Sequence, residues 1–289
     1  MEGMENSFAL YNGRWFCNSL LGKDGLKIME EKDMKVVIWA GGLGTRISEE
    51  SHLRPKPMIE IGGMPILWHI MKIYSHYGFN DFIICLGYKQ YVVKEFFANY
   101  FLYNSDVTFD LKNNSMQVLS DHVDPWKVTL IDTGLHTMTG GRLKRVKDYI
   151  GNHPFLLTYG DGVSDVNIND VVKFHQFHGK LATLTTVNIA QMKGVLEVNS
   201  NNDVESFREK FDEDASLING GFMVLQPEVF DYIEGDNTMF EQEPLRQLAA
   251  EGQLKSYYHK GFWQCMDTQR EKQKLEALWA SGNAPWKVW

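Results

Sequence analysis

From Met34 onward the apolar positions follow two spacings that alternate along the chain. Val36-Val37-Ile38-Trp39, Phe82-Ile83-Ile84-Cys85-Leu86, Val128-Thr129-Leu130-Ile131 and Phe155-Leu156-Leu157-Thr158-Tyr159 are short and almost unbroken, and glycine or aspartate closes each run. Apolar residues on consecutive positions predict strands covered on both faces. Between them the period changes. Ile66, Ile70 and Ile73 recur at helical spacing after Pro65 and stop before Gly78, and helices are also predicted over Val92 to Tyr100, from Thr139 through Tyr149 and over Ile168 to His178. Strand and helix in alternation, with short connections, predict an α/β fold whose central sheet is mostly parallel and carries helices on both faces.

Two stretches depart from that rhythm. Residues 104–132 hold short alternating segments around Asn113-Asn114, which predict a small β-hairpin excursion. Residues 1–33 show no sustained period and read as an extension of uncertain role, a dispensable arm or a subunit contact, ahead of a single domain over 34–289. Further strands are expected over Ala182 to Asn188, Gly194 to Val198 and Ile218 to Leu225. An amphipathic helix with Leu245 and Leu248, a strand reaching Asp267, a charged helix and a Trp-rich tail from Trp279 to Trp289 follow. The tail and Tyr257-Tyr258 read as core or subunit interface.

Composition narrows the setting. At 289 residues and 44% hydrophobic content the chain can bury a full-sized core. A net charge of −8 argues against nucleic acid or an anionic membrane as partner. No run is long enough for a membrane helix and no secretory leader is apparent, so a cytoplasmic protein is expected. Three scattered cysteines, Cys17, Cys85 and Cys265, fit neither a disulfide framework nor a zinc site.

The chemistry concentrates where strands end. After the first strand come Gly41, Gly42 and Gly44, then Thr45 and Arg46, and ten residues later Lys56-Pro57. Glycines let backbone N–H groups approach an anion, and the two cations supply full charge, so the stretch reads as a phosphate loop. It is neither a Walker loop, lacking Gly-Lys-Ser/Thr, nor a dinucleotide fingerprint, since Ile47 replaces the third small residue. Gly160-Asp161-Gly162 follows another buried strand, where a carboxylate can face a metal or simply shape a turn. Asp267 before Thr268 can serve as a second ligand or as a helix N-cap. Glu209-Lys210 can be a solvated pair, Asn219-Gly220-Gly221 a bulge, and Thr139-Gly140-Gly141-Arg142 a helix start. His175 and His178 have no third ligand partner nearby in sequence.

Gly-Gly-Leu-Gly-Thr-Arg followed by Lys-Pro resembles the signature of the sugar-phosphate nucleotidyltransferases, and the likeness runs along nearly the whole chain from Met34. It is similar above all to members that act on CTP and glucose 1-phosphate. The resemblance implies a Rossmann-like nucleotidyltransferase fold, a Mg2+-dependent enzyme and a homo-oligomer. By resemblance Gly41, Gly42, Gly44 and Thr45 wrap the nucleotide, Arg46 holds the leaving pyrophosphate and Lys56 steadies the α-phosphate. Asp161 and Asp267 hold the metal. Gly160, Glu209, Lys210, Asn219 and Gly220 meet the sugar phosphate, while Thr139, Gly140, Gly141 and Arg142 read the base. Two positions depart from the family pattern: Gln191-Met192-Lys193-Gly194 stands for a Gly-Arg-Phe-Gly-like segment, and Phe211 for the proline after Glu-Lys. Both lie on the sugar side and leave the sugar open. UTP or dTTP in place of CTP, and a non-catalytic sensor of sugar nucleotides, are the alternative readings; the second would ordinarily have lost one of Arg46, Lys56, Asp161, Lys210 or Asp267.

Overall fold

Eight strands form one sheet in the computed structural model, which describes residues 8–11, 14–17, 33–44, 47–121, 123–188, 195–198, 204–208 and 217–289. In chain order they are β1 (Val36–Ala40), β2 (Asp81–Leu86), β3 (Lys127–Asp132), β4 (Phe155–Tyr159), β5 (Ala182–Asn188), β6 (Leu217–Asn219), β7 (Met223–Leu225) and β8 (Leu254–His259). β4, β1, β2 and β3 lie side by side and parallel. Tyr159, Trp39, Cys85 and Ile131 stand in register across them, so all four strands end along one edge. β7 runs antiparallel between β4 and β5, β6 continues beside β5 in the same sense, and β8 closes the far side parallel to β5. The sheet is therefore mostly parallel, as the consecutive apolar runs predict, with Leu217 to Leu225 reversed.

Both faces are buried because alternate residues of each strand point opposite ways. Val36, Ile38, Phe82 and Ile84 join one core with Ile66, Ile70 and Tyr74, whereas Val37, Trp39, Ile83 and Cys85 join a second with Leu143, Phe230 and Phe240. The helices are α1 (Ile66–His76), α2 (Gln90–Tyr103), α3 (Thr139–Arg145), α4 (Ile168–His178), α5 (Glu243–Ala250) and α6 (Gln269–Ala280), and α1 and α3 carry Ile66, Ile70, Tyr74 and Leu143. α1 ends where Gly78 takes φ +95, and α4 starts on an Asn167 side-chain cap and ends at Gly179 with φ +61.

Two small pairings matter. Ser105–Asp110 and Ser115–Asp121 form the expected hairpin, which exposes Phe109, Leu111, Met116 and Leu119. Gly162–Ser164 pairs antiparallel with Trp263–Cys265, outside the central sheet. In the extension Phe8–Tyr11 pairs with Arg14–Cys17. Among the described residues no helix is long and apolar enough to cross a membrane. Trp286, in the tail, is wholly buried against Phe262 and Trp279.

Candidate active site

The edge where β1 to β4 end collects the polar residues. Gly41 leaves β1 and its carbonyl accepts from Arg142 Nη2 at 3.1 Å. The same buried guanidinium also donates to Leu86 O at 3.0 Å, Thr133 Oγ1 at 2.8 Å and Leu135 O at 3.2 Å. Burial pulls its pKa below the ordinary arginine value. A Cβ on Gly41 would sit 2.1 Å from Arg142 Nη1, so the glycine is needed for this close approach. Arg142 thus ties the ends of β1, β2 and β3 together from below. Both terminal nitrogens are thus taken up by three backbone carbonyls and the Thr133 hydroxyl, where the sequence expectation is a base contact.

Gly42 faces open space, and Gly44, at φ +66, turns the chain beside Lys56. Thr45 and Arg46 lie outside the described residues. Gly140 and Gly141 let α3 touch the segment ahead of α5: Gly140 N–H donates to Thr238 O at 2.9 Å, and a Cβ on Gly141 would meet the Asp236 backbone at 2.5 Å. Thr139 Oγ1 accepts from Phe240 N–H at 2.9 Å and donates to Glu241.

Lys56 is the buried centre of the site. It opens a 3-10 turn, Lys56–Met58, whose Pro57 packs on Gly160. Its Nζ lies 2.6 Å from Asp161 Oδ2 and also bonds Asp267. Burial alone would depress the ammonium, but Asp161, with Asp267, more than offsets it and holds the pKa above the ordinary lysine value. Gly160 and Asp161 turn the chain after β4, and Gly162 continues as strand without a positive φ, so the turn does not draw on that glycine. Asp161 O accepts from Met266 N–H at 2.9 Å, and the pairing of Gly162–Ser164 with Trp263–Cys265 brings the two aspartates together. The N-cap of α6 is Thr268, in a capping box with Glu271, not Asp267. The Asp267 carboxylate is thereby left to face Lys56.

Beside these carboxylates opens a cleft of about 380 Å³, lined by Tyr159, Asn219, Glu241, Leu245, Trp263 and Cys265 together with Asp161 and Asp267. That volume falls in the range of about 300–1,000 Å³ typical of small-molecule sites. Tyr159 OH donates to Glu241 Oε1 at 3.0 Å and accepts from Asn219 Nδ2 at 3.0 Å. Gly221 takes φ +77 in the link between β6 and β7, and Trp263 Nε1 donates to Gly220 O at 2.7 Å. Burial pushes the Cys265 thiol up to about 12, helped by Asp267, toward which its Sγ lies 3.6 Å from Oδ2.

The structure brings Gly41, Gly42, Gly44, Lys56, Gly160, Asp161, Asn219, Gly220 and Asp267 to one edge. Glu209 and Lys210, and the departures at Met192, Lys193 and Phe211, lie outside the described residues. His175 and His178 are elsewhere, both bonded to Thr183. Sequence reasoning missed Tyr159 and Glu241. Tyr159 reads as the last residue of a buried strand, and Glu241 is one of several acids before α5, so neither carries a signal of its own.

Two carboxylates, each with 20–28% of its side chain exposed, converge on a single cation, which suits a hard divalent ion completed by phosphate oxygens and water. Among the described residues no group of three or more His, Cys, Asp or Glu could hold one without such help.

Residues 35–268 match the family model described as nucleotidyl transferase. The chain is 57% identical over 257 residues to glucose-1-phosphate cytidylyltransferase of Salmonella typhimurium, covering 89% of this chain and 100% of the relative. It is 46% identical, over the same shares, to a probable glucose-1-phosphate cytidylyltransferase of Bacillus subtilis. In fold it is similar to the crystal structure of HddC from Yersinia pseudotuberculosis, with TM-score 0.63, 23% identity and coverage of 85% of this chain and 99% of the other.

Proposed function

The chain belongs to the nucleotidyl transferase family, and from that premise we propose that it transfers a cytidylyl group from CTP to a sugar 1-phosphate, glucose 1-phosphate being the first candidate, with release of pyrophosphate. The observation that carries this reading is the convergence of Lys56, Asp161 and Asp267 at the strand edge beside the glycine loop, in a chain 57% identical to a glucose-1-phosphate cytidylyltransferase.

A phosphate oxygen of the sugar 1-phosphate attacks the α-phosphorus of CTP in line. The new P–O bond forms as the bond to the β-phosphate breaks, and pyrophosphate leaves with the electron pair. With a second pKa of ~6, a phosphomonoester is already ionised at neutral pH and needs no general base. The protein's work is positioning and charge neutralisation. Gly41, Gly42, Gly44 and Thr45 wrap the triphosphate, Arg46 meets the leaving pyrophosphate and Lys56 the α-phosphate. Asp161 and Asp267 would hold Mg2+, a member of the divalent class this family generally uses; when bound it neutralises charge on the phosphates. Glu209 and Lys210 meet the sugar phosphate, and Gly160, Asn219 and Gly220 border the sugar. Thr139, Gly140 and Gly141 frame the base side, and Arg142 positions the loop by bracing the Gly41 carbonyl.

The hairpin's exposed Phe109, Leu111, Met116 and Leu119 support a homo-oligomer, and the free Cys85 and Cys265 support a reducing, cytoplasmic setting. The test is a matrix of CTP, UTP, dTTP and GTP against several sugar 1-phosphates, read by pyrophosphate release. CTP with glucose 1-phosphate is expected to lead. A strong preference for another nucleotide would remove the base assignment, and silence across the matrix would remove the enzyme.

A further inference from the structure

Three acidic residues line the cleft, Asp161, Glu241 and Asp267, and only Glu241 has no task in the reaction described above. Its carboxylate joins two elements. Oε2 accepts from Thr139 Oγ1 at the start of α3, and Oε1 accepts from Tyr159 OH at the end of β4, at 3.0 Å. The Tyr159 oxygen accepts in turn from Asn219 Nδ2 at 3.0 Å, and Asn219 Oδ1 accepts the Gly221 N–H at 2.9 Å.

The direction of every proton in this chain is fixed from its two ends. A backbone N–H only donates, so Asn219 turns Oδ1 to Gly221 and Nδ2 to Tyr159. An ionised carboxylate only accepts, so Tyr159 donates to Glu241. Among the described residues nothing accepts the second Nδ2 hydrogen of Asn219, which is left for a ligand in the cleft that this residue lines.

We propose that Glu241 is a positioning residue for the sugar side of the cleft: by setting the Tyr159 proton it holds the Asn219 amide with one N–H presented to a hydroxyl oxygen of the sugar. This rests on the nucleotidyl-transfer reading. A site that dedicates a donor to one hydroxyl discriminates against analogues that lack it. Glutamine at 241 can turn its own N–H toward Tyr159, which sets the hydroxyl proton against the Asn219 amide and leaves the Gly221 N–H alone to hold that amide in place.

Glu241→Gln is expected to raise KM for the sugar 1-phosphate about three- to tenfold, the scale of one hydrogen bond between neutral groups, with KM for CTP within about twofold. Tyr159→Phe, which removes only the hydroxyl, is expected to give the same split. In an Asn219→Ala background Glu241→Gln is expected to add nothing, because its route to the substrate is gone. Calorimetric binding of the sugar 1-phosphate, with a non-hydrolysable CTP analogue present, reads the same coupling without turnover. Additive effects of Glu241→Gln and Asn219→Ala, or equal shifts in both KM values, would make Glu241 a purely structural residue and overturn the proposal. A wild type that binds the sugar phosphate with the coupling intact but releases no pyrophosphate would support the positioning role and remove the catalytic reading. A wild type that binds no sugar phosphate would overturn both.

Discussion

Lys56 Nζ lies 2.6 Å from Asp161 Oδ2 while also bonding Asp267, so one buried ammonium bridges two carboxylates that lie far apart in the sequence. Its partners hold it protonated, and it keeps the two negative charges from repelling each other. Lys56→Met removes the charge at a point where negative charge builds during phosphoryl transfer. A loss of roughly 100–1,000-fold in kcat is expected, by analogy with deleting one preorganised electrostatic group. Because both carboxylates are then unneutralised, Mg2+ is expected to raise the melting temperature of Lys56→Met more than that of wild type. Turnover within tenfold of wild type, or equal metal responses, would contradict this role.

Asp161 and Asp267 can be separated from the fold more gently. Asn at either position keeps shape and hydrogen-bonding capacity but removes the charge a divalent ion needs. Asp161→Asn and Asp267→Asn are each expected to abolish pyrophosphate release and the metal-induced rise in melting temperature, with the circular dichroism spectrum unchanged. Removing divalent ions with a chelator should reproduce the loss in wild type, reversibly. Near-normal turnover in both variants would sink the metal assignment.

The first of these relationships is half visible in the sequence. Val36–Ala40, Asp81–Leu86 and Phe155–Tyr159 announce themselves because strands buried on both faces need unbroken apolar runs, and Gly41, Gly87 and Gly160 mark where they stop. Parallel order then forces those ends to one edge. What local pattern cannot give is the pairing of Gly162–Ser164 with Trp263–Cys265, a contact of high sequence separation between three-residue strands, which seats Asp267 beside Asp161. Nor can it distinguish an arginine aimed at a ligand from one aimed at carbonyls. Arg142 lies in a helix with Lys144 and Arg145, and only the tertiary fold shows which of these is buried.

Arg142 carries the next prediction. Arg142→Leu would leave the carbonyls of Gly41, Leu86 and Leu135 without this donor in a buried setting. Removing a buried cation that makes these bonds is expected to cost about 2–4 kcal/mol in urea unfolding. KM for the nucleotide is expected to rise, since the Gly41 carbonyl is no longer held. Gly41→Ala, whose Cβ would meet the guanidinium at 2.1 Å, should reproduce both effects. A stability change below about 0.5 kcal/mol in Arg142→Leu would show that the brace is dispensable.

His69 makes stability depend on pH in a definite direction. It is fully buried under the tail, with Nε2 at 2.8 Å from Ile61 O and Nδ1 facing the Trp286 Nε1–H at 3.4 Å. Nε2 therefore carries the proton and Nδ1 accepts. Burial lowers its pKa to about 4, against the usual 6.5. The unfolded chain binds this proton more readily than the folded one, so the contribution is complete above pH ~6.5 and declines as pH falls toward about 4. The difference corresponds to about 3 kcal/mol. His175, lowered to about 3 by burial, adds to the same slope, so the diagnostic quantity is the difference between wild type and His69→Gln. Urea unfolding followed at several pH values from about 7 down to about 4 is expected to show a shallower decline in His69→Gln by roughly that amount. Tryptophan fluorescence should report the tail loosening first at low pH in wild type. Parallel stability curves for the two proteins would show that the His69 ring is not held neutral by its burial under Trp286.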